Sequence, residues 1–336
     1  MSEKVFVSGI AGFLGSHLAE ALLREGHTVI GCDNLIGGEV ENVPAGAEFI
    51  ELDCNDLDRL KPLVKGCAVV YHCAATAHEG LSVFSPHENV VHGIGATSGM
   101  LSAAISNNVR RFVFLSSMAR YGTQPQVPFR EEMVPRPQDP YAVQKVASEH
   151  LVRLMAMVHG FEFSIGIPHN IIGPRQRHTD PFRNVASIFI NMMLQGRQPF
   201  IYGDGSQARC FSFVADVVDP LIKLGFAEEA KNEIFNLGPD DEFVTVLSLA
   251  RKIARKLNFD LQPVFTPGRP QEVHRANCSA DKARAALGYS PKVTLDEGLD
   301  EMIEWIRQKG PRPFEYHMKV EIESDRTPKT WKDRLF

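Results

Sequence analysis

Tyr141 and Lys145 stand four residues apart in the segment Asp139-Pro140-Tyr141-Ala142-Val143-Gln144-Lys145. Asp139 can cap a helix and Pro140 suits its first position, so the tyrosine and the lysine fall on one helical face. A free tyrosine has a pKa near 10, which leaves only about one phenolate in a thousand at neutral pH. A neighbouring ammonium favours the anion, and the positive end of a helix acts in the same sense. Together they make a base able to take a proton from an alcohol. Ser116 and Ser117 directly follow the apolar run Phe112-Val113-Phe114-Leu115 and place hydroxyls at the carboxyl edge of a sheet. The YxxxK spacing is common by chance, and taken alone it reads better as an aromatic packed at a helix start.

A second group of residues suits a phosphate. Gly9, Gly12 and Gly15, with Phe13 and Leu14 between the last two, lie between the run Val5-Phe6-Val7 and an amphipathic stretch, Phe13 to Arg24. Glycines there permit a tight turn, bring backbone N–H groups close to a pyrophosphate and let helix and sheet approach. The spacing is GxxGxxG, one residue wider in its first gap than the GxGxxG fingerprint. Asp33, 24 residues past Gly9, closes the next apolar run and suits a ribose 2′-hydroxyl. No Arg or Lys occurs from Asp33 to Gly38 to neutralise a 2′-phosphate, so NAD is expected rather than NADP.

These groups need a frame to hold them. Further short apolar runs occur at 28–30, 49–52, 69–71 and 165–167, and helical patterns at 57–64, 96–106 and 141–158 separate them. Buried strands alternating with helices predict a Rossmann-type α/β fold, a doubly wound parallel sheet with helices on both faces. After residue 170 the pattern loosens into Pro- and Gly-rich loops, with two good helices at 247–257 and 295–307. The expected organisation is a cofactor lobe over 1–170 and a smaller mixed α/β substrate lobe over 171–311 that can cross back to the first. A C-terminal extension over 312–336 carries Phe314, Tyr316, Trp331 and Phe336.

The 336 residues are 44% hydrophobic and 23% charged, enough for a sizeable core, which excludes a disordered or fibrous chain. The net charge is −5, so binding to nucleic acid by bulk electrostatics is not expected. Six cysteines without a CxxC pair read as reduced core residues of a cytoplasmic protein. No stretch is long and apolar enough for a membrane span. His72, His78, His87 and His92 come close together without an HxxxH pattern, and no metal is expected. Asp216 reads as a helix cap, and Arg120 and Arg175 as surface residues.

At this point the chain resembles the extended short-chain dehydrogenases/reductases, in particular their NAD-dependent nucleotide-sugar epimerase/dehydratase branch. The resemblance rests on SGIAGFLG (8–15), Asp33, YHCAA (71–75), SSMARYG (116–122) and PYAVQK (140–145). HNIIGPRQ (169–176), YGDGSQARCFSFVADV (202–217) and PGRPQEV (267–273) follow in the family's order. The resemblance implies that Tyr141 takes the proton of a sugar 4-hydroxyl as NAD oxidises C4. Ser117 would bond the same oxygen, and Lys145 would hold the nicotinamide ribose. It further implies cofactor contacts from Gly9, Gly12, Phe13, Leu14, Gly15, Asp33, Asn34, Asp53, Cys54 and Ala74. Substrate contacts would come from His78, Asn170, Arg209 and Arg269, the arginines meeting a nucleotide diphosphate, with a UDP-sugar as the expected partner. A homodimer through the helices near 96–106 and 141–158 is also implied.

Some positions depart from the family pattern. Dehydratases of the family carry an acidic pair just after the serine, where this chain has Met118 and Ala119, and decarboxylating members have Glu at the position of Ala119. Epimerisation needs no such acid and is the expected reaction. A dehydratase, a 4-keto reductase and a non-catalytic NAD-binding regulator are the alternatives. Ile167, His169, Cys210 and Gly93 also differ from the usual residues and leave the nucleotide and the sugar open.

Overall fold

The computed structural model describes residues 2–240, 243–271 and 273–336. Six of the apolar runs become strands: β1 (Lys4–Ser8), β2 (Thr28–Asp33), β3 (Glu48–Glu51), β4 (Val69–His72), β5 (Arg111–Leu115) and β6 (Glu162–Pro168). A seventh, β7 (Glu233–Leu237), joins them from far along the chain. They form one parallel sheet in the order β7-β6-β5-β4-β1-β2-β3. The order reverses at β1 and β4, so the loops leaving these two strands diverge and open a crevice at the carboxyl edge.

Successive side chains of each strand pass to opposite faces, which is why the strands are apolar throughout. Phe6, Val70, Phe112 and Phe114 pack under α2 (Leu57–Leu63), α3 (Ala96–Ser106) and α4 (Pro140–His159). Val5, Val7, Val69 and Val113 pack under α1 (Phe13–Arg24) and α6 (Val214–Phe226). The smaller lobe has its own core, formed by α5 (Val185–Leu194), α7 (Val246–Leu257) and α8 (Leu295–Lys309). The boundary expected at residue 170 is a crossing point. The chain leaves the sheet there and returns with α6, β7 and the helix at 281–287.

Residues 312–336 run across both lobes. The Asn191 amide donates to the Arg312 carbonyl (2.9 Å) and the Glu315 N–H to Thr179 (2.8 Å) on the small lobe. Beyond these, Ser85 Oγ donates to the Lys319 carbonyl (2.6 Å), and the Glu321 carboxylate accepts the backbone N–H groups of His87 (3.0 Å) and Glu88 (2.9 Å). Met318 and Trp331 then enter an apolar cluster with Leu81, Phe84 and Phe182. Each such large side chain contributes about 1.5–3 kcal/mol when fully buried. Among the described residues, no helix is long and apolar enough to cross a membrane.

Candidate active site

The crevice deepens into a cleft of about 490 Å³ that runs from the turn after β1 to the small lobe and the tail. Its first wall is the glycine turn. Gly9 has φ +73°, and a Cβ there would lie 2.8 Å from the backbone nitrogen of Ala74 in the loop after β4. A Cβ on Gly15 would lie 2.1 Å from the Gly9 carbonyl oxygen. The turn can close only if both positions are bare. Gly12 is the N-cap of α1 and has no side chain to cap with, so the first N–H groups of the helix, at Phe13, Leu14 and Gly15, face the cleft. Bare donors at a helix N-terminus suit a pyrophosphate.

Asp33 ends β2 beside this turn, 8% exposed, and its carboxylate accepts from the N–H groups of Ala11 (3.2 Å) and Leu35 (2.8 Å). Burial raises its pKa, and the backbone donors oppose that shift. Asn34 donates to Asp53 (2.8 Å), which also accepts from Asn55. Burial pushes the Asp53 carboxyl up, but the Asn55 and Asn34 bonds prevail and hold it below the usual range. Cys54 and Ala74 line the same end of the cleft. A bare backbone cradle, a carboxylate at the end of β2 and an amide–carboxylate pair beyond it together fit a dinucleotide.

The middle of the cleft holds the hydroxyls and the lysine. Asp139 caps α4 by accepting from the Ala142 N–H (2.8 Å), so Tyr141 sits in the first turn and Lys145 one turn later. Ser116 turns away and donates to Glu149, whereas Ser117 lines the cleft beside the Tyr141 phenol and lowers its pKa. The Lys145 ammonium donates to the Leu115 carbonyl (2.7 Å) and lies 5.8 Å from the Tyr141 ring. Burial pushes Lys145 down to about 8. The Tyr141 phenol is raised, by burial first and by the Glu79 carboxylate second, with only the Ser117 bond and Arg183 pulling it down. Lys145 is not among the groups that set this shift, and desolvation decides its direction. A phenolate here needs positive charge brought in by a ligand.

The far end is assembled from distant segments. Asn170, with φ +44°, donates to the Cys210 carbonyl (2.9 Å). Arg209 lies on a short strand, and the Arg269 guanidinium stacks 4.8 Å from the Tyr202 ring. All three line the cleft, as do Arg183, Glu79, Trp331 and Phe336, which the sequence patterns did not single out. Only the unusual aromatics of the tail hinted at the last two. Trp331 is 3% exposed with an unpartnered Nε1, held edge-on by Phe182 and Phe84. The Glu79 carboxylate, exposed to the cleft, makes no hydrogen bond or ion pair among the described residues, while its backbone carbonyl accepts from Ser82 Oγ (2.7 Å). Desolvation by the cleft walls and Asp139 raise its pKa, with Arg209, Arg269 and Arg183 opposing.

The neighbouring histidines separate. His72 is a core residue bonded to Ser8 (2.7 Å) and Thr97 (3.1 Å), His92 faces Asp53 and Glu88, and His78 meets Asp180 (2.8 Å) on the cleft wall. Asp216 is not a cap, for its carboxylate accepts from the Val293 N–H (3.0 Å). Arg120, expected at the surface, is 3% exposed and pairs with Glu149, whereas Arg175 pairs with Glu20. At Gly93 a Cβ would meet the Gln144 side chain at 2.4 Å, so that amide fills the space a larger residue would take.

Comparison with known proteins gives the family. The sequence pattern of the NAD dependent epimerase/dehydratase family matches residues 5–238. The UDP-glucose 4-epimerase of Mycolicibacterium smegmatis is 34% identical over 315 residues, covering 91% of this chain and 99% of that protein. A UDP-N-acetyl-alpha-D-glucosaminuronate decarboxylase of Bacillus cytotoxicus is 29% identical, over 92% of this chain and 99% of its own length. The crystal structure of UDP-glucose 4-epimerase from Thermotoga maritima with UDP-glucose superposes with a TM-score of 0.87 at 32% identity, covering 91% of this chain and 99% of that one.

Proposed function

The chain belongs to the NAD dependent epimerase/dehydratase family, and from that premise we propose that it is a nucleotide-sugar 4-epimerase. Its substrate would be a UDP-hexose or UDP-hexuronate, passing through a transient 4-keto sugar. The observation that carries the reading is the grouping of Ser117, Tyr141 and Lys145 in the cleft, followed by Met118 and Ala119 where an acid pair would serve dehydration. The UDP-sugar named in the Mycolicibacterium and Thermotoga relatives supports the nucleotide.

In this reading Gly9, Gly12, Phe13, Leu14 and Gly15 hold the pyrophosphate of NAD through backbone donors. Asp33 and Asn34 would take a ribose, Asp53 and Cys54 would meet the adenine end, and Ala74 would line the cofactor groove. When bound, NAD supplies a reversible oxidant for the sugar carbon and a positive charge beside the phenol. Tyr141 Oη accepts the proton of the sugar 4-hydroxyl and later returns it. Ser117 holds the same oxygen in line, and Lys145 leaves the Leu115 carbonyl to steady the ribose and favour the phenolate. Asn170, Arg209 and Arg269 hold the diphosphate, with His78 on the sugar side. Arg suits this task, because its planar fork matches a phosphate.

A second copy of the chain is proposed to cover α4, where Val143, Leu154, Met157 and Val158 are all exposed. Sedimentation would give a dimer, and a monomer at micromolar concentration removes that part.

A dehydratase is the second reading, and Glu79 favours it, because this carboxylate lies near Tyr141 and could serve as an acid. Proton NMR after incubation with UDP-glucose, UDP-N-acetylglucosamine and UDP-glucuronate separates the two. An equilibrium mixture of C4 epimers is expected, and an accumulating keto sugar would replace this reading with the second. A non-catalytic NAD-binding regulator has no use for Ser117, Tyr141 and Lys145 together. Bound NAD without turnover of any of the three sugars would favour it.

A further inference from the structure

Two imidazoles and a carboxylate, from three separate segments, meet on the wall of the cleft. His78 comes from the loop after β4, Asp180 from the loop before α5 and His317 from the tail. Asp180 Oδ2 is 2.8 Å from His78 Nε2 and 3.9 Å from His317 Nε2, and one ligand atom from each residue lies within 4.8 Å of the others. The His78 and Asp180 side chains are 6% exposed and that of His317 12%.

The hydrogen bonds around the cluster define which lone pairs face inward. His317 Nδ1 is 3.0 Å from the Glu315 carbonyl oxygen, which only accepts, so Nδ1 carries the proton. In the neutral ring Nε2 is then a bare lone pair, buried and without a hydrogen-bond partner. It faces a carboxylate oxygen, a second acceptor, at a distance too long for a hydrogen bond. Two buried acceptors opposed in this way are unfavourable, and a cation between them satisfies both. A backbone carbonyl that fixes the far nitrogen of an imidazole is the usual outer support of a metal-binding histidine. Asp180 has similar support, its other oxygen accepting the Phe182 N–H at 2.8 Å. The Phe182 ring packs edge-on against both imidazoles, with centroids 6.3 Å away, and shields the cluster from water.

We propose that His78, Asp180 and His317 form a divalent transition-metal site, filled by Zn²⁺, that fastens the tail to the wall of the cleft. Two imidazole nitrogens and one carboxylate oxygen are a zinc-type donor set, and tetrahedral bonds of about 2.0–2.2 Å separate such donors by about 3.3–3.5 Å. The 2.8 and 3.9 Å separations bracket that range, so small side-chain rotations complete the site. On binding, His78 Nε2 exchanges its bond to Asp180 for one to the metal. Its proton moves to Nδ1, which has no partner at present.

The test uses the full chain, stripped with a chelator and titrated with Zn²⁺ against a chromophoric competitor. One equivalent bound with Kd below about 1 μM is expected, together with visible Co²⁺ absorption of a low-coordinate N/O site. His317→Gln and Asp180→Asn should each weaken zinc binding by about 100-fold, whereas His150→Gln, on the exposed side of α4, should bind as the parent does. Circular dichroism in metal-free buffer checks that each variant is folded, and His317→Ala serves if the glutamine itself retains a contact. Wild-type affinity weaker than about 10 μM, or unchanged affinity in both ligand variants, overturns the site. Because the readout is metal binding, its failure is independent of whether any sugar nucleotide turns over.

Discussion

The two ends of the cleft are built on different principles. At the β1–β2 end, the turn, its carboxylate and the helix N-terminus come from one continuous stretch, Ser8 to Asn34, and every group is fixed by backbone contacts. At the other end, Asn170, Arg209, Arg269 and Trp331 reach the cleft from four segments, and each is held through its side chain, by bonds from Asn170 and Arg209 to backbone carbonyls and by ring packing at Arg269 and Trp331. Nothing in their spacing joins them. A backbone cradle tolerates no added atom, whereas a packed wall can give way at moderate cost. The first end should therefore fail completely when altered, and the second by degrees.

The largest effect is expected where the two ends meet. Tyr141→Phe removes the proposed proton acceptor and should lower kcat by about 10²–10⁴-fold, with NAD content and nucleotide-sugar affinity little changed. Turnover within tenfold of the parent would deny Tyr141 its role. Gly15→Ala tests the cradle. Its Cβ would press on the Gly9 carbonyl, costing about 1–3 kcal/mol, and the purified variant should lack NAD and melt earlier. Retained NAD would show that the turn yields after all.

The sheet beneath the cradle should show its rigidity in acid. Burial pushes His72 down to about 3 from 6.5, so the folded ring stays neutral where the unfolded chain takes up a proton. Stability from this group therefore rises with pH between about 3 and 6.5 and is lost on acidification, by at most about 1.4 kcal/mol per pH unit. Urea titrations from pH 4 to 6 should show that slope, and His72→Gln should flatten it. An unchanged slope in the variant would assign the acid sensitivity elsewhere. The smallest effect belongs to the packed wall. Trp331→Phe keeps an aromatic ring, smaller than the indole, and removes the unpartnered N–H, and should raise KM by about tenfold or less, with kcat and NAD content intact. Loss of NAD in this variant would mean that the ends are not separate.

The same contrast explains what could be read in advance. The strands β1 to β6 and the helices α1 and α4 follow from local apolar periodicity and from caps such as Asp139, and Gly9, Gly12, Gly15 and Asp33 declare themselves by spacing. The seventh strand escaped because Glu233-Ile234-Phe235-Asn236-Leu237 is short and has polar Glu233 and Asn236 among its apolar residues. Its burial comes from pairing with β6, which no local pattern encodes. Arg120 reads as a surface cation until Glu149, more than a turn into α4, is seen to neutralise it. The direction of the Tyr141 shift depends on desolvation by the whole fold, and Glu79 enters only because its short helix docks on the start of α4. There the Tyr141 N–H donates to Ser82 Oγ (3.2 Å).

The tail also has a mechanical meaning. Two lobes joined only by chain crossings can rock about them, and the mouth between them can widen. Here the segment 312–336 is pinned to the small lobe at Asn191 and Thr179 and to the large lobe at Ser85, His87 and Glu88. A strap anchored on both sides of a hinge carries tension when the hinge opens. Its length sets how far the mouth of the cleft can open before the tail must let go of one lobe.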